Sequence, residues 1–203
     1  MKMQMKRIAG VDEAGRGPLA GPVAVGVAVV PHDFDWRLIP GVGDSKQVKE
    51  HDREKVVKIA RALKRAGMID FYVALVPHTT IDRIHISRAV EKGILTCFKK
   101  LALDPQKTSV KLDGLLRAPE EFVSQETIIK GDAKEKVIGL ASILAKVTRD
   151  HHMIKEAATY PKYDFGVHKG YGTKKHREAL LRFGLSKIHR RSFCRKYLAY
   201  TPV

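Results

Sequence analysis

Apolar and polar positions along the chain repeat with two different periods, and the switches between them outline an alternating order of strands and helices. Lys6 to Asp12 and Gly21 to Val30 are rich in Val, Ile and Ala and read as strands. A glycine-rich corner, Ala14 to Gly17, lies between them and predicts a hairpin-like pair. In the second strand Val25, Val27 and Val29 share one face, and the alternate positions are small or apolar. A strand that is apolar on both faces belongs in the middle of a sheet. Gln47 to Ala66 then reads as a helix, because Val56, Ile59, Ala60 and Leu63 fall at i, i+3, i+4 and i+7. Phe71 to Val76 is a short strand ended by Pro77. Thr79 to Leu103 predicts a second helix, capped by Thr79 or Thr80 and closed before Asp104-Pro105. Ser109 to Leu112 and Thr127 to Lys130 give two more strands. Glu135 to Thr159 follows as a long helix, whose Gly139, Ala141, Ser142 and Ala145 permit close packing on a sheet.

The resulting order, β-β-α-β-α-β-β-α and then helices, predicts an α/β fold with a mixed sheet. Its pairing is antiparallel at the hairpin and parallel elsewhere. Past Tyr160-Pro161 the composition changes. A Gly/Tyr/His loop runs from Tyr163 to Thr173, and helical segments lie near Lys174 to Phe183 and His189 to Tyr200. From His168 to Lys196, ten Lys or Arg face one acid, Glu178. The expected organisation is a core over residues 1–160 with a basic helical extension over 161–203.

The charge sharpens this picture. The 203 residues carry 38 Lys and Arg against 22 Asp and Glu, a formal net charge of +16. Such a surplus favours polyanionic partners, although charge alone serves solubility equally well. The two cysteines, Cys97 and Cys194, lie far apart without metal-ligand spacing and fit a reducing compartment. The longest apolar run, Val23 to Val30, is too short to cross a bilayer. Residues 1–7 lack the apolar region of a signal peptide. A cytoplasmic protein without membrane partners is expected, with monomer the simplest state.

Four carboxylates lie at predicted strand ends. Asp12 and Glu13 end the first strand, Asp113 follows Val110-Lys111-Leu112, and Asp132 follows Ile128 to Gly131. Acids so placed can converge above one edge of an open sheet. Carboxylate oxygens suit Mg²⁺ or Mn²⁺, and two such ions about 3.5–4 Å apart clamp both oxygens of a displaced phosphodiester. A single Asp at a strand end is more often a cap or a turn residue. Adjacent Asp12 and Glu13 would also point to opposite faces unless the strand twists or ends there.

Asp12-Glu13-Ala14-Gly15-Arg16-Gly17-Pro18 resembles the opening motif of the bacterial type 2 ribonucleases H. Asp44-Ser45-Lys46 is similar to that family's second motif. Lys130-Gly131-Asp132 with Ala141 to Asp150 is similar to its third region, and His168 to Thr173 and His189 to Phe193 to its C-terminal motifs. The matches run from Ile8 to about Phe193.

The resemblance implies a ribonuclease H-like fold, a five-stranded mixed sheet flanked by helices with a C-terminal helical extension. It implies metal binding, through two divalent ions, by Asp12, Glu13, Asp113 and Asp132. It places Gly15, Arg16 and Gly17 against a ribonucleotide whose 2′-OH main-chain groups can recognise, and Tyr171 on the neighbouring sugar. Ser45, Lys46, Arg190 and Arg191 would then hold the substrate. The implied activity is cleavage of the RNA strand of RNA–DNA hybrids, and 5′ to ribonucleotides embedded in duplex DNA, leaving 5′-phosphate and 3′-hydroxyl. Removal of misincorporated ribonucleotides and RNA primers would be its use. Two positions depart from the family pattern: Leu115 follows Asp113-Gly114 where Asn is common, and His85 also replaces Asn. Type 3 ribonucleases H are a rival, but they usually carry an additional N-terminal domain, and eleven residues precede Asp12. A non-catalytic binding module is the other rival, disfavoured because clustered acids repel phosphates unless metal neutralises them.

Overall fold

The computed structural model describes residues 7–42 and 48–198. In chain order the elements are β1 (Arg7–Ala14), β2 (Val23–Pro31), α1 (Glu50–Arg65), β3 (Asp70–Val76), α2 (His78–Lys100), β4 (Thr108–Asp113) and β5 (Gln125–Ile128). There follow a one-turn α3 (Gly131–Lys134), the long α4 (Lys136–Thr159), and α5 (Phe165–His168), α6 (Lys174–Phe183) and α7 (Arg195–Leu198). The strands form one sheet in the order β3-β2-β1-β4-β5. β1 is antiparallel to β2 and parallel to β4; β2–β3 is antiparallel and β4–β5 parallel. This is a five-stranded mixed sheet as the element order predicts, with the apolar β2 between two neighbours, but pairing outside the β1–β2 hairpin is not all parallel: β3 returns antiparallel to β2 after α1.

The period-two alternation of β1 and β2 divides the interior into two layers. Ala9, Val11, Val25, Val27 and Val29 pack with Ala89, Val90, Ile94 and Cys97 of α2. Ala28 and Val30 face the other way, against Val137, Ile138, Ala141 and Leu144 of α4 and Val56 and Ala60 of α1. α4 lies directly on the sheet: a Cβ added at Gly26 would collide with the Ala141 carbonyl oxygen. The small residues of α4 permit this approach. A third cluster joins Ala20 and Met153 to Tyr163, Phe165, Leu180, Ile188 and Cys194, so the C-terminal segment packs on the end of α4 and on the β1–β2 loop. Among the described residues no helix is long and apolar enough to cross a membrane.

Several boundaries differ from expectation for physical reasons. β1 continues through Asp12 and Glu13 to Ala14, because both acids pair across to β2, opposite Gly26 and Val25. β5 lies two residues earlier than Thr127 to Lys130, since Lys130 takes a left-handed conformation (φ 56°) and turns the chain into α3. α2 starts after Pro77 with no side-chain cap, rather than on Thr79 or Thr80. His85 breaks α2 internally with φ 66° and ψ 161°. This extended conformation with positive φ is one that non-glycine residues rarely adopt, so the kink is a strained point of the helix. The helix expected from His189 starts only at Arg195, because His189 bridges to Ala20 and the next residues turn; the last expected positions, 199–200, lie outside the described residues.

Candidate active site

β1 and β4 run parallel with Val11 opposite Leu112, so the next residues, Asp12 and Asp113, come level at the carboxyl edge of the pair. Asp12 is 5% exposed. Its carboxylate accepts the Glu13 N–H at 2.7 Å and a hydrogen bond from the Ser142 hydroxyl of α4. Burial raises the Asp12 pKa to about 8; the Ser142 bond opposes this, and the charges of Glu13 and Asp113 add to it. Glu13 points to the α2 side. There it meets Arg16 at 3.3 Å and, with Ser87, Val90, Asp113 and Arg117, lines a cleft of about 500 Å³. Its carboxyl is also held above the ordinary value, by burial first, against the lowering effect of Arg16.

Asp113 Oδ1 accepts the Gly131 N–H at 2.7 Å, and this ties β4 to the first turn of α3. Asp132, the next residue of that turn, is 8% exposed and accepts from the Ala133 N–H at 3.1 Å. The four acids therefore come from neighbouring strand ends and one turn. Because β1 does not stop at Asp12, Asp12 and Glu13 do leave the strand on opposite sides. Among the described residues no three acids, histidines or cysteines already enclose a position for a metal ion. The donor set still fits a hard divalent cation. It supplies carboxylate oxygens, and the burial and neighbouring negative charges that lift Asp12 are both offset by a bound positive charge.

Gly15 and Gly17 differ. Gly15 is buried at φ 90°, and a Cβ there would strike the Arg149 side chain. Gly17 is exposed, its added Cβ would meet nothing within 4 Å, and its φ is not positive. Nothing in the described protein requires glycine at position 17. Tyr171 is 42% exposed, with Lys146 Nζ at 5.9 Å and Arg149 Cζ at 5.7 Å from its ring centre. Its loop is fixed by three buried histidines. His168 accepts the Gly170 N–H, His176 Nδ1 lies 2.8 Å from the Tyr171 carbonyl, and His176 Nε2 lies 2.9 Å from His189 Nε2.

The expectation for Arg190 needs correction. It is 0% exposed, and its guanidinium bonds main-chain carbonyls of residues 15, 16, 21 and 22, so it does not face a phosphate. Arg191 is exposed, and its N–H is held by Asp82. Ser45 and Lys46 lie outside the described residues. Sequence reasoning missed Ser142, whose place among small helix residues signalled only packing. It also missed Arg149, which is buried beneath Tyr171 and bonds the carbonyls of Ala20, Pro22 and Lys169.

The sequence model of the family described as Ribonuclease HII matches residues 9–196. The chain is 44% identical over 186 residues to the ribonuclease HII of Endomicrobium trichonymphae, covering 92% of this chain and 84% of that one. Its fold is similar to the crystal structure of the ribonuclease H2 from Pyrococcus horikoshii OT3, with TM-score 0.74 and 32% identity over 94% of this chain and 96% of that one. A Bst-RNase HIII solved in complex with Mn²⁺ has TM-score 0.73 over 98% of this chain and 71% of its own. At 16% identity that likeness shows the fold alone.

Proposed function

The chain belongs to the ribonuclease HII family, and from that premise we propose that it cuts the RNA strand of RNA–DNA hybrids and nicks duplex DNA 5′ to embedded ribonucleotides. Ribonuclease H endonuclease activity comes with the family; the preference for single ribonucleotides and the roles of individual residues are the finer reading. The observation that carries it is the buried Asp12, level with Asp113 and beside Glu13, whose charges oppose one another until a cation is present.

Asp12, Glu13, Asp113 and Asp132 would hold two divalent ions, Mg²⁺ or Mn²⁺. When bound, such ions supply an activated water and charge stabilisation for an in-line displacement at phosphorus. The chain's own groups prepare the rest. Ser142 fixes the Asp12 carboxylate, and the Gly131 N–H fixes that of Asp113. The bare edge at Gly17 allows a sugar to approach the main chain. Tyr171 offers one open ring face to the adjoining sugar. Arg191 and the other basic residues of 161–203 would contact phosphates, positioning the duplex without reading its sequence. Products with 5′-phosphate and 3′-hydroxyl follow from attack of water on phosphorus with departure of the 3′ oxygen. The protein would act as a monomer in the cytoplasm, clearing ribonucleotides and RNA primers from DNA.

The test is a labelled DNA duplex with one ribonucleotide, beside an all-DNA control, incubated with Mg²⁺ or Mn²⁺. One cut 5′ to the ribonucleotide, absent from the control and abolished by chelator, is the expected result. Cleavage restricted to long hybrids would sink the single-ribonucleotide part of the reading.

A further inference from the structure

Arg190 sends its donors into main-chain carbonyls. Nη2 lies 2.7 Å from the Gly15 oxygen and 3.0 Å from that of Pro22, Nη1 lies 2.8 Å from Arg16, and Nε lies 2.9 Å from Gly21. No cis peptide is present among the described residues. In a trans peptide the carbonyl and the following N–H point in opposite directions. With the carbonyls of Gly15 and Arg16 drawn inward, the N–H groups of Arg16 and Gly17 must therefore point away from the buried guanidinium. Arg16 and Gly17 are the exposed residues of this loop, and no Cβ stands over Gly17.

We propose that Arg190 is a positioning residue for ribonucleotide recognition: by holding two carbonyls inward, it presents the N–H groups of Arg16 and Gly17 as a paired donor for the 2′ oxygen. This rests on the functional reading above. The task needs a planar fork that bonds several carbonyls at fixed angles, which the tetrahedral ammonium of lysine does not provide. Two neighbours secure the device. Asp82 of α2 accepts from the N–H groups of Arg191 and Ser192 at 2.9 and 3.0 Å, which fixes the turn carrying Arg190. Arg149 bonds Ala20 and Pro22 on one side and Lys169 on the other, and so joins the same loop to the segment of Tyr171.

The experiment compares affinities in a D132N background, which stops turnover. Dissociation constants are measured for a duplex with one ribonucleotide and for the same duplex in all-DNA form. The ratio between them reads recognition of the 2′ oxygen. R190K narrows this ratio by about tenfold, the worth of two misaligned amide hydrogen bonds, and leaves all-DNA affinity unchanged. A merely structural role would weaken both duplexes alike. A folded R190K with the parent's ratio overturns the inference. If thermal melting shows that R190K does not fold, D82N decides: a narrowed ratio supports the device, and an unchanged ratio overturns it. A parent protein that does not prefer the ribonucleotide duplex overturns the functional reading and this inference with it, whereas a parent preference that the variants keep overturns the inference alone.

Discussion

His176 and His189 meet Nε2 to Nε2 at 2.9 Å, and one placement of protons satisfies both rings. The Ser186 N–H donates to His189 Nδ1, so the proton of His189 is on Nε2 and is given to His176. His176 then carries its own proton on Nδ1 and donates it to the Tyr171 carbonyl. Both rings are neutral in this chain, and a further proton on His176 would set two N–H groups against each other.

Acid should therefore loosen the extension. Burial pulls the pKa of His176 down to about 4, and burial with the charge of His176 pulls His189 down to about 3. Unfolded histidines take up protons near 6.5 and the folded pair does not, so stability is full above that pH and falls as pH drops toward the folded values. The loss at pH 5 is of order 2 kcal/mol per histidine. Urea unfolding at pH 7.5 and pH 5 measures it. A H176N/H189Q protein should show a flatter dependence, and an equally steep one would place the acid sensitivity elsewhere.

Two glycines make opposite predictions. Gly26→Ala forces a methyl into the Ala141 carbonyl and should cost about 2 kcal/mol or more, because α4 cannot retreat without opening the layer. Gly17→Ala meets nothing and should leave the melting temperature unchanged. Cleavage at a single ribonucleotide should nevertheless fall about tenfold, since the methyl stands where the sugar approaches. Melting curves and initial rates for both variants check the pair.

Removing one carboxylate should remove the chemistry. Asp12→Asn is expected to lower metal-dependent cleavage by about a thousandfold, the loss of several kcal/mol of charge stabilisation. Adding Mg²⁺ or Mn²⁺ should raise the melting temperature of the parent by linkage, and that of Asp12→Asn less. A variant that still cut at the parent rate would remove Asp12 from the site.

Tyr171 tests the open ring face. Tyr171→Phe keeps the face and should retain activity within about twofold. Tyr171→Ala should raise KM for the ribonucleotide duplex about tenfold, the worth of one stacking contact. Equal KM values for the two variants would leave Tyr171 as a packed loop residue.

Much of the fold was legible because its signals are local. The two-residue alternation of β2 and the apolar stripe of α1 are each written within one element, and so is the small-residue face of α4. Element ends were less legible. Ile128-Ile129 reads as strand, yet Ile129 is largely exposed and the chain turns at Lys130. The carboxylates were legible as residues, but the hydroxyl that steadies Asp12 was hidden in a run of helix-packing residues. Arg190 was expected on the substrate because it sits in a basic run, and nothing in its own neighbourhood shows that it turns inward. Its direction is decided by carbonyls that belong to residues 15 and 16.

That separation bears on how the protein is made. Arg190 and the Gly15 carbonyl it holds are 175 positions apart, so a loop begun at Gly15 is completed only by a segment that leaves the ribosome long after it. Domains gain structure from the N-terminus during synthesis, and the acids at positions 12, 13, 113 and 132 emerge well before the arginine that shapes the loop beside them. In the proposed function, a chain synthesised past Asp132 but short of Arg190 would carry its cutting groups without its means of recognition, and discrimination would arrive only with Arg190.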